Sequence, residues 1–126
     1  MRPKTLAEVA RLTEVGDSFD RCLANFLDHF YAAPDAAALA DSPKLLAPAA
    51  GELGRVQDAF LAPTAEELAR RFNLPAPSWT EAEERKLHYP WFATPLASLR
   101  AVLLLESPPG FRARNLFVSE NALSRA

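Results

Sequence analysis

The chain has 126 residues, about the length of one domain, and a hydrophobic fraction of 49%, so it can bury a core without disulfide or metal staples. Its net charge of −2 is too small to mark the whole molecule as a nucleic-acid or membrane binder, and residues 107–126, with three arginines against one glutamate, make a mild basic tail rather than a binding stripe. A lone cysteine, Cys22, cannot form an internal disulfide, no apolar run exceeds five residues where a span needs about 18, and Met1–Lys4 is followed by polar residues rather than a leader's apolar stretch, so the chain reads as cytoplasmic with no membrane contact.

Taken in chain order, the elements are mostly helical. Thr5-x-x-Glu8 is a capping box that opens a first helix, with Leu6 and Val9 as its apolar side and Gly16 as its stop. Asp17 or Ser18 caps a second helix. Its Phe19, Cys22, Leu23, Phe26 and Phe30 recur on one face of a 3.6-residue period, and Pro34 ends it. Residues 35–41 fit a helical turn or two. Ser42-Pro43 predicts a helix running toward Asn73, interrupted or kinked at Pro48 and Pro63. Thr64-x-x-Glu67 makes a restart at Thr64 an equal reading. Gly51-x-x-Gly54 reads as weak helix propensity.

Leu74–Trp79 holds two prolines and cannot be helical throughout. A third capping box, Thr80-x-x-Glu83, predicts a short charged helix, and Tyr89-Pro90-Trp91-Phe92 an aromatic turn. Thr94-Pro95 opens another helix, with Leu96, Leu99, Val102 and Leu103 expected to face inward. Ser107-Pro108 opens a last short helix through Arg114. Leu116–Val118 is extended, and Ser119 caps a terminal turn that includes Leu123. The fold class is all-α: a compact bundle of about five to six helices with short Pro-rich connections and an extended C-terminal segment, in one domain over residues 1–126.

Enzyme signatures are missing. The two histidines, His29 and His88, sit in neither an HExxH nor a Cys/His metal spacing, and the four glycines form no phosphate loop. There is no nucleophile elbow. Cys22, on the apolar face of the second helix, reads as a small buried hydrophobe rather than a reactive thiol. Glu66-Glu67 and Glu83-Glu84 fall in predicted first helical turns, where they complement the dipole. The expectation is no catalytic residue, no metal and no cofactor.

Two regions read as binding candidates. The aromatic-proline region holds both tryptophans, Trp79 and Trp91, which serve either as a lid on the core or as interface anchors. The tail from Phe111 is too apolar to leave in water. It is expected to dock partly on the chain's own core and to present Arg112, Arg114 and Phe117 to a partner.

The tail pattern Ser107-Pro108, Phe111-Arg112-x-Arg114-Asn115-x-Phe117-Val118-Ser119-x-Asn121-Ala122-Leu123-x-Arg125-Ala126 resembles the C-terminal end of a group of small bacterial proteins. Leu74-Pro75-x-Pro77-x-Trp79-Thr80, Pro90-Trp91-Phe92 and Leu23-x-Asn25-Phe26-Leu27-Asp28-x-Phe30-Tyr31 resemble the same group, so the similarity touches most of the chain. Such proteins are often encoded beside a nucleotidyltransferase-like protein, in pairs resembling toxin–antitoxin modules. The resemblance implies an antitoxin-like partner that occludes that protein, and it carries no catalytic residues. The alternative is a DNA-binding regulator with residues 94–106 and 108–114 as a helix-turn-helix. Pro108, Pro109 and Gly110 are poor residues for a recognition helix, so nucleic acid is the less favoured partner.

Overall fold

Thr5 opens α1 (Leu6–Glu14), its hydroxyl accepting from the Glu8 amide at 3.1 Å, while the Glu8 carboxylate reaches back to the Lys4 amide at 3.3 Å. Gly16, at φ 114°, reverses the chain. Ser18 then caps α2 (Phe19–Ala32), accepting from the Arg21 amide. Cys22, Leu23, Phe26, Leu27 and Phe30 form the buried stripe of α2, with Phe19 half-buried beside it. The computed structural model describes residues 2–94 and 96–125, with the backbone alone at Ala97. Within them the protein is all-α in class, with six α-helices and a two-stranded ladder.

After a single turn of helix, α3 (Ala37–Ala40), the chain enters α4 (Ala47–Arg71), the central element. The expected start at Pro43 is displaced to Ala47. There the Asp58 carboxylate, reaching back from the next turns of α4, accepts from the Leu46 and Ala47 amides at 2.7 and 3.0 Å. A break at Gly51 (φ 62°, ψ −135°) separates the first turn from the rest. Pro63 does not stop the helix. A central proline costs about 3 kcal/mol, but Leu61, Ala62, Pro63, Thr64 and Ala65 are all buried, so packing holds the helix together. Thr64 therefore caps nothing; its hydroxyl donates to the Phe60 carbonyl one turn back.

The third capping box also fails. Ser78–Glu81 and Glu83–Arg85 are two 3-10 turns, and Thr80 is buried with its hydroxyl donating to the Pro77 carbonyl at 3.0 Å. The aromatic turn is instead a strand: β1 (Trp91–Phe92) pairs in parallel with β2 (Leu116–Phe117), Trp91 opposite Leu116 and Phe92 opposite Phe117. Between them lie α5 (Ala97–Glu106) and the four-residue α6 (Pro109–Arg112). Pro95, read as part of the α5 start, lies outside the described residues.

One core joins these elements. Phe19 meets Phe60 and Phe60 meets Phe111 edge-on, linking α2, α4 and α6. The tail docks on the chain as expected, with Phe111, Leu116, Phe117, Val118 and Leu123 buried. Its end returns to α2: the Tyr31 hydroxyl donates to the Leu123 carbonyl at 2.7 Å, and Arg125 pairs with Asp28 at 2.9 Å.

Candidate interaction face

The five residues expected at a partner surface have different places. The Trp79 indole N–H donates to the Leu39 carbonyl at 2.9 Å, and the Arg85 guanidinium lies 4.9 Å from the ring centroid, so this half-buried tryptophan joins the 78–81 turn to α3. Arg114 does not project from the tail. It is buried, donating to Glu66 at 2.8 Å, to the Gly110 carbonyl at 2.8 Å and to the Thr80 carbonyl at 2.9 Å. Those bonds tie the end of α6 to α4 and to the 78–81 turn. Arg112 is exposed along its length, but its guanidinium donates to the Ser107 carbonyl at 2.8 Å, a local tie across α6. Phe117 is buried and stacked on Phe92, ring centroids 5.0 Å apart. Trp91 is half-buried on β1 and borders open space. It lines a hollow of about 380 Å³ with Phe19, Leu53, Val56 and Phe60, and a larger one of about 680 Å³ along β1.

A buried polar cluster was not legible in the sequence. Arg85 is enclosed, donating to the Pro43 carbonyl at 2.5 Å and the Asp58 carbonyl at 3.3 Å, with the Asp58 carboxylate 3.9 Å away. Burial pushes the Asp58 carboxyl above its usual range, against the pull of two backbone amides and Arg85; burial likewise draws the Arg85 guanidinium down. Both terminal guanidinium nitrogens of Arg85 meet backbone carbonyls of the chain, and Asp58 takes two backbone amides. The cluster fastens residues 43–47 to α4. The Cys22 thiol is pushed up by burial, which suits a core residue and not a nucleophile. Among the described residues no three His, Cys, Asp or Glu side chains lie together as a metal site, and no helix is long and apolar enough to cross a membrane.

The open chemistry lies on α5. Leu96, expected to face inward with Leu99, Val102 and Leu103, is exposed, as are Leu99 and Val102. Together with Leu104 and Leu105 they are 44–83% exposed, and only Leu103, at 9%, is buried. The helix is attached at its C-terminal end. There the buried Ser107 hydroxyl accepts from the Val118 amide at 2.8 Å, and its single hydrogen is within reach of the Leu103 carbonyl at 2.6 Å and the Val118 carbonyl at 3.0 Å. Glu106 accepts from the Ser119 hydroxyl and the Glu120 amide. Its other end leans on β1, where the Arg100 guanidinium stands 5.1 Å above the Phe92 ring. The sequence signal was present: in residues 96–105 only Ser98 and Arg100 are polar, so apolar side chains reach around most of the helix, yet among the described residues only Leu103 is buried.

No family model, curated protein or solved structure matches the chain. The face has to be interpreted from its own chemistry. It combines large exposed aliphatics, two strand aromatics and a single cation, with no carboxylate within ion-pair distance of Arg100 among the described residues.

Proposed function

We propose that the protein is a non-catalytic interaction module that docks a protein partner on α5 and β1. The observation that carries this is the row of exposed leucines and valine on α5. A small monomer rarely leaves so much contiguous aliphatic surface in water, and such patches mark interaction sites. The similarity of the tail to proteins encoded beside nucleotidyltransferase-like proteins supports that class of partner, held in an antitoxin-like, occluding complex. Trp79, Arg114 and Phe117 make contacts within the chain, so the docking surface is α5 with Trp91 at its border. The regulator reading has less behind it: α6 is only four residues long, and Arg114 is spent on Glu66 and two carbonyls.

The test is co-expression with the protein encoded beside it. A stoichiometric complex that survives gel filtration, and that Leu99→Glu with Val102→Glu abolishes while the helical circular-dichroism signal is kept, is the expected result. A monodisperse protein that binds no neighbour-encoded protein, or a complex indifferent to both substitutions, would refute the proposal.

A further inference from the structure

In the β1–β2 ladder the outer edge of β1 is open. Trp91 donates its amide to the Asn115 carbonyl at 2.8 Å and Ala93 to the Phe117 carbonyl at 3.0 Å, so both turn toward β2. Strand groups alternate sides, and the amide and carbonyl of Phe92 between them therefore point away from β2. Neither meets another group among the described residues. On the far side of β2 the buried Ser107 hydroxyl accepts from the Val118 amide at 2.8 Å, just beyond the strand, and Leu116 is buried. The open edge runs along the hollow of about 680 Å³ lined by Pro90, Trp91, Phe92, Ala93, Thr94 and Arg100.

We infer that the free edge of β1 takes an extended segment of a different protein by strand addition, with a carboxylate of that segment seated on Arg100. Three observations favour this occupant. Phe92 offers a donor and an acceptor spaced for a strand and not for a helix. Five consecutive lining residues span ~15 Å at strand rise, room for a segment of four or five residues. Arg100 is the only charge in the hollow, held over Phe92 and answered by no carboxylate among the described residues. A second copy of this chain fits poorly. Residues 90–105 contain no Asp or Glu, so a copy laid on the same edge would bring another Arg100 and nothing to neutralise it, and Glu106 is engaged by Ser119 and Glu120. The inference rests on the docking role of α5 and β1 proposed above and specifies its chemistry.

The experiment is selection of a random peptide library on the full chain, then titration of the enriched peptide followed by backbone amide NMR. Enriched peptides should carry an acidic residue among alternating apolar ones and shift the amides of Phe92, Ala93 and Thr94. Methylating the peptide nitrogen that faces Phe92, and separately Arg100→Glu in the protein, should each weaken binding about tenfold or more. A peptide with lysine in place of the acid should recover affinity on Arg100→Glu. Absence of an acidic consensus, shifts confined to other segments, or indifference to both changes would overturn the inference. If that happens while Leu99→Glu with Val102→Glu still breaks the complex with the neighbour-encoded protein, the strand mode fails and the docking module stands. If neither set of variants matters, both fail.

Discussion

Asp58 and Arg85 show at the scale of single residues how much of this chain's charge is used internally. Removing the Asp58 carboxylate leaves the Leu46 and Ala47 amides without an acceptor and the buried Arg85 without its counter-charge. Breaking such a network from one side costs about 3–5 kcal/mol, so Asp58→Ala should lower the denaturation midpoint by that equivalent. An unchanged midpoint would mean the cluster does not fasten residues 43–47 to α4 as described. The pH dependence has a definite sign. Burial raises the Asp58 carboxyl, so the folded chain holds this proton more tightly than the unfolded chain. Its contribution is full below the ordinary aspartate range and declines as pH rises through the raised value. The penalty of Asp58→Asn, measured by urea denaturation, should therefore grow as pH falls through that window. Asp28 runs the other way: its hydrogen bond from Arg125 lowers its carboxyl, and that contribution is lost in acid. Cys22 should react with a thiol reagent slowly in the native protein and quickly on unfolding, since it is 4% exposed and shares the α2 stripe. Its burial was legible from spacing alone. The Asp58–Arg85 pair was not, because residues 27 positions apart meet only through the turn after α4, and nothing local in the sequence encodes that approach.

Elements were legible where one local signal and one apolar face agreed. In α1 and α2 the cap, the stripe and the stop all point to the same boundaries, and the structure follows them. Where tertiary burial opposes the local signal, burial wins. Thr64 and Thr80 have capping-box spacing, yet one lies inside a continuous helix and the other under a 3-10 turn. The strand at Trp91–Phe92 was hidden for a related reason: two residues are too short for an alternation pattern, and its partner lies 25 positions on. The glycines of α4 mean more than weak propensity. Gly51 takes a positive φ at the break, and a Cβ on Gly54 would sit 2.5 Å from the Leu46 carbonyl oxygen, in backbone that cannot yield as a side chain can. Gly54→Ala should therefore destabilise by about 1–3 kcal/mol or more despite alanine's better helix propensity. Thermal melts of Gly54→Ala and of an exposed control on α4, Ala49→Gly, separate close approach from helix propensity. A stabilised Gly54→Ala would show that the turn at residue 46 does not approach α4 so closely.

For the molecule as a whole, the chain closes on itself by returning its tail to α2 through Leu123 and Arg125, and α5 is left outside that closure. Apolar character alone could not show this. Leu96–Leu105 reads the same in sequence whether the chain or a partner covers it, and the expectation of an inward face failed because, among the described residues, only Leu103 of these is buried. The two sides of α5 should respond oppositely to substitution. Leu103→Ala, at the buried contact beside Ser107 and Val118, should cost about 2–5 kcal/mol and loosen the C-terminal end of the helix, visible as faster amide exchange at Val118. Leu99→Glu and Val102→Glu, on exposed positions of the same helix, should change folding stability by no more than about 0.5 kcal/mol while reducing binding of a hydrophobic dye. A dye signal that persists in those variants, or a large loss of stability from them, would place the exposed aliphatics inside the fold and remove the reason to expect a partner there. A dye signal lost with stability intact leaves a helix whose composition answers to an interface rather than to its own core.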